Sequence, residues 1–132
     1  CMPASKSGYP REWLKKASED FRRVKARLRD GDIEDAAFHL QQALEKFLKG
    51  FLLAQGWPLK KIHDLEALLD DAVTFDRTLE RFRPLLQQVS GYYLIERYPG
   101  FEQAEAAEED VAQAYKDAKR LVQHIRRAFT QP

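Results

Sequence analysis

Apolar residues return at three- and four-residue steps along most of the chain and nowhere alternate as a half-buried strand would. The first stripe, Trp13, Ala17, Phe21, Val24 and Leu28, predicts an amphipathic helix. Pro10 suits its first turn, and Asp30-Gly31-Asp32 stops it, with Gly31 as a left-handed cap. Asp32 can cap the next helix, whose early Glu34 and Asp35 favour its positive end. That second helix runs from about 33 to 55 and buries Ile33, Ala37, Leu40, Leu44, Phe47 and Phe51.

After Gly56 a loop through Trp57-Pro58 leads to His63-Asp64, which open a shorter helix carrying Leu65, Leu68, Leu69 and Val73. The stretch 75–83 reads as a weaker helical turn or loop. Pro84 then sits in the first turn of a fourth helix reaching about Arg97, which Pro99-Gly100 breaks. A last helix spans about 101 to 129 on a stripe that includes Val111, Ala118, Leu121, Val122, Ile125 and Phe129. Its acidic early turns and basic late turns complement the helix dipole. Long helices with short connections predict an all-α fold, an antiparallel up-and-down bundle of four long helices plus one short helix. Residues 1–9 are expected to be a disordered N-terminal segment, and 10–130 one bundle domain.

Composition narrows the function. At 132 residues the chain suits one domain with a proper core. The apolar run 51–54 is far short of the roughly 20 residues of a membrane span, so no membrane association is expected. A net charge of +1 argues against a nucleic-acid binder held by bulk electrostatics but leaves room for a local anion site. The single cysteine, Cys1, permits no internal disulfide, which fits a cytoplasmic location. Cys1 ahead of the one Met reads as an added residue. No cysteine pair, His-Glu-x-x-His or phosphate-binding glycine loop is present, and the three histidines lack metal-ligand spacing, so no metal or cofactor is expected.

Three features could carry binding. On the second helix His39, Gln42, Lys46 and Lys49 fall within a sector of roughly 80°, away from the Leu40/Leu44/Phe47 face. They read either as a solvated polar face with a Glu45–Lys49 pair or as a row of donors for a phosphate. His63 at a helix start either bonds nearby backbone or joins an anion site there. Tyr92, Tyr93, Arg97 and Tyr98 gather before Pro99-Gly100, as packing and capping groups or as an aromatic and guanidinium site for a nucleotide.

These segments together resemble the HEPN family, the nucleotide-binding domain of higher eukaryotes and prokaryotes. The resemblance runs through Trp13, Ala17 and Asp20, the stretch 36–49 from Ala36-Ala37-Phe38-His39 to Lys46-Phe47-Leu48-Lys49, then His63-Asp64-Leu65 and Arg97-Tyr98-Pro99. It covers nearly the whole chain. It implies a helical bundle that dimerises with its own copy and works beside a minimal nucleotidyltransferase, often in a toxin–antitoxin pair. Ribonuclease members carry a His a short distance after the arginine, and here no His occurs among 98–104. The expected function is therefore a non-catalytic nucleotide- or substrate-binding subunit for an ATP- or GTP-like ligand. Its expected site is Lys46, Lys49, His63, Tyr93, Arg97 and Tyr98. A ribonuclease toxin and a purely structural or interaction bundle are the alternatives.

Overall fold

Both long helices at the start of the chain end in the same way. The computed structural model, which describes residues 9–91 and 108–130, places α1 at Pro10–Asp30 and α2 at Ile33–Ala54. Gly31 adopts φ +82°, and its N–H bonds Leu28 O while the next N–H, of Asp32, reaches Arg27 O. Gly56, at φ +91°, repeats the pattern, with Gly56 N–H on Leu53 O and Trp57 N–H on Leu52 O. A left-handed glycine in these positions satisfies the last carbonyls and turns the chain away, the Schellman arrangement. Asp32 starts α2 by accepting from Asp35 N–H.

The helix α3 (Leu65–Val73) is capped by Asp64, which accepts from Glu66 N–H. The weak segment beyond it is a 3-10 turn, Arg77–Phe82, continuing directly into α4 at Arg83–Ser90. Asp76 sets that turn by accepting from both the backbone and the hydroxyl of Thr78. Helix α5 spans Glu108–Thr130. The described residues contain these five helices and no strand. The C-terminal part expected for the fourth helix and the first turns expected for the last lie outside the described residues.

Helix α2 is the spine. Thirteen of its residues are buried, too many for one stripe, because α1, α3, α4 and α5 all pack on it. Leu40, Leu44, Phe47, Leu48 and Leu52 meet Leu68, Leu86, Leu121 and Ile125 in one core. Phe21 of α1 stands edge-on to Phe47 at 6.1 Å and lies 4.8 Å from Tyr115 of α5. The antiparallel α1–α2 pair packs tightly at Gly50, where a Cβ would fall 2.5 Å from Leu14 Cδ1 and 3.3 Å from Pro10 O.

The connection from α2 to α3 is tied at both ends. Trp57 is buried and donates through Nε1 to Asp71 at 2.9 Å. Six residues on, His63 reaches back to α2, while 58–61 between them are exposed. No helix among the described residues is long and apolar enough to cross a membrane.

Candidate functional site

Three members of the polar stripe of α2, His39, Lys46 and Lys49, lie against α1. Trp13 and Asp20, seven residues apart and so on one face of α1, lie against those two lysines. Asp20 is nearly buried. Its carboxylate accepts from Lys46 Nζ, approaches His39 Nδ1 at 3.1 Å and lies 3.6 Å from Arg23. His39 in turn touches Asp35 through its other nitrogen at 3.5 Å. A buried carboxylate needs this many donors, since an unpaired one would be expelled or protonated.

A second buried carboxylate, Glu45, organises the other half of the stripe. Lys49, only 3% exposed, donates to its Oε2 at 3.1 Å and sits 5.5 Å from the centre of the Trp13 ring. His63 Nδ1 meets the same oxygen at 2.8 Å. An ionised carboxylate only accepts, so Nδ1 carries the proton of that bond. The His63 side chain is 71% exposed, and its remaining nitrogen, Nε2, can accept when neutral or donate when protonated. Glu45 Oε1 is buried with no hydrogen-bond partner among the described residues. Arg27 Nε, near the end of α1, is the other buried side-chain atom without a hydrogen-bond partner among the described residues.

The structure therefore brings Lys49 and His63 together on one carboxylate and sends Lys46 to a different one. Tyr93, Arg97 and Tyr98 lie outside the described residues. The sequence reading named the Glu45–Lys49 pair but missed Asp20 and Glu45 as the hubs. A signal for Asp20 was present: it is the last member of the Trp13, Ala17, Asp20 series, at helical spacing. No group of three or more His, Cys, Asp or Glu side chains placed to hold a metal occurs among the described residues.

The described helices thus form an all-α bundle with a polar, carboxylate-centred seam between the first two. The model of the HEPN domain matches residues 10–128, and the chain belongs to that family. Neither the curated proteins nor the solved structures give a significant match.

Proposed function

We propose that this HEPN domain is a non-catalytic subunit that binds an ATP- or GTP-like nucleotide at the His63 end of the seam. In this reading it works as a homodimer beside a minimal nucleotidyltransferase in a toxin–antitoxin pair. The observation that supports the site is the convergence of Lys49 and His63, two residues far apart in sequence, on Glu45. Glu45 fixes the imidazole so that its outer nitrogen meets a ligand without first losing rotamer freedom. His63 also adjoins the start of α3, and helix starts favour phosphate. Lys46 and Arg97 would add charge, and Tyr93 and Tyr98 would stack on the base.

The non-catalytic part of the proposal rests on the missing His after Arg97, which removes the general base that attack by a 2′-hydroxyl requires. The purely structural bundle also has an observation in its favour, because both lysines already hold carboxylates. Calorimetry with ATP and GTP at low and high salt separates the two readings. Binding that weakens with salt and falls about tenfold or more in His63→Ala and Arg97→Ala, the size of one charged hydrogen bond, supports the subunit. Absence of binding, alone or with the nucleotidyltransferase, leaves the structural bundle.

A further inference from the structure

On a different part of the bundle, four basic side chains line one cleft. Helix α5 carries Arg120, His124 and Arg127 at steps of four and three, hence on one face. Arg81 of the 3-10 turn lies across from them. They line a cleft of about 570 Å³, within the range of small-molecule sites, with buried Phe82 and Leu85 as its apolar wall.

His124 is fixed there. Its Nε2 donates to Asp76 Oδ2 at 2.7 Å, its Nδ1 faces Arg81 Nη2 at 3.5 Å, and its ring meets Phe82 edge-on at 6.2 Å. Burial raises the Asp76 carboxyl, but hydrogen bonds from His124 and Thr78 outweigh it and hold the group below the usual carboxylate value. Asp76 thus stays ionised behind the imidazole and is used up by it.

Arg81 and Arg120 differ from a neighbouring arginine in what they lack. Arg83, two residues from Arg81, is saturated by Glu80, Asp70 and Glu66, which push its guanidinium further up from its ordinary value. Neither Arg81 nor Arg120 forms an ion pair among the described residues. Arg81 lies instead 4.9 Å from the centre of the Phe82 ring, which orients it without neutralising it. Among the described residues the cleft lining holds one carboxylate, Asp117, beside its guanidiniums, and that carboxylate accepts from Gln113. Like charges gathered in a concave site raise its affinity for an anion.

We infer that this cleft is a second anion site, distinct from the seam, and that it takes a chain of linked phosphates. Guanidinium forks match phosphate oxygens. Arg120 on α5 and Arg81 on the 3-10 turn line the cleft from two different elements, so a di- or triphosphate can engage both guanidiniums where a single phosphate engages one. The phosphate chain is the recognised element, whether it comes as inorganic tripolyphosphate or on a nucleoside. His124 acts as a positioning residue, accepting from Arg81 with its back against Asp76.

Calorimetry with sodium tripolyphosphate, ATP, orthophosphate and a short single-stranded RNA tests this on the full chain. The expected result is tripolyphosphate binding that weakens with salt, exceeds orthophosphate and is competed by ATP. Arg81→Ala and Arg120→Ala should each weaken it about tenfold or more, with partial retention in Arg120→Lys. Both arginines are exposed, so circular dichroism of the variants should match wild type. The variants are compared in a His63→Ala background, which disables the proposed seam site, so the tripolyphosphate binding that remains belongs to this cleft. An Arg81→Ala/Arg120→Ala variant of the His63→Ala protein that binds tripolyphosphate as tightly as its parent overturns the inference. So does a wild type that ignores tripolyphosphate, or one that binds RNA alone, since the occupant would then be a nucleic-acid strand.

Discussion

Replacing Lys49 by Met keeps the side-chain stem but deletes the ammonium that faces Glu45. Lys49 and Glu45 are 3% and 5% exposed, so solvent screens their 3.1 Å contact far less than a surface pair. Removing one member of a buried ion pair costs about 3–5 kcal/mol, because the other charge is left behind. Here His63 continues to donate to Glu45, which places Lys49→Met near the lower end, about 3 kcal/mol. For a chain of this length each kcal/mol moves the midpoint by roughly 3–5 °C, so the melt should drop on the order of 10 °C. Combining it with Glu45→Leu removes both charges, and apolar replacement of a buried pair is often neutral or better. The double variant should therefore recover to within about 1 kcal/mol of wild type. Urea unfolding followed by circular dichroism, with equal slopes as the check on two-state behaviour, measures all three free energies. Single variants within about 0.5 kcal/mol of wild type, the range of ordinary surface changes, would refute the reasoning. A double variant as damaged as the sum of the singles would refute it equally.

Gly50→Ala should destabilise by about 1 kcal/mol: a helix gain of about 1 kcal/mol is outweighed by overpacking of about 1–3 kcal/mol. The Leu14 tip can rotate away, but Pro10 O at 3.3 Å and Trp13 Cβ at 3.4 Å flank the new methyl; a stabilised variant in urea would contradict this. Because the Asp76 carboxyl is lowered on folding, its contribution is present above its ordinary value of 3.8 and lost as pH falls through the folded value. Asp76→Asn should accordingly flatten the acid limb of stability against pH, read from thermal melts. The proposed homodimer should give twice the chain mass of 15.4 kDa in light scattering, and a monomer at tens of micromolar would count against it.

Helix ends were legible because their chemistry is local. Gly31, Gly56, Asp32 and Asp64 act on backbone groups within a few residues, so the sequence alone places the breaks. The polar stripe of α2 was legible as an angle and not as an environment. Periodicity states that His39, Lys46 and Lys49 share a sector, but only packing reveals that α1 brings Asp20 against it. His63 and Glu45 are 18 positions apart, and Asp76 and His124 are 48 apart, so neither pair leaves a local trace. The α5 arginines were visible and were read as dipole complements, which explains their place near the C-terminus but not their alignment with Arg81. Residues 75–83 gave a weak helical signal because Asp76 and Thr78 start a 3-10 turn there by side-chain bonding, a competition that periodicity does not record.

The two moorings between α2 and α3 divide their connection into parts with different tolerances. Trp57 and His63 are fastened to Asp71 and Glu45, so length changes at either would pull on the core or the seam. Between them Leu59 is 40% exposed, and added residues cost little closure entropy, roughly 0.6 kcal/mol per doubling of loop length. An inserted tag or fluorophore at Leu59–Lys60 would hang from a fixed bracket, displaced from the core, with its attachment points held by residues of two different helices. Such a graft would report on His63 from the N-terminal side of that residue and leave the Trp57 anchor as an internal reference.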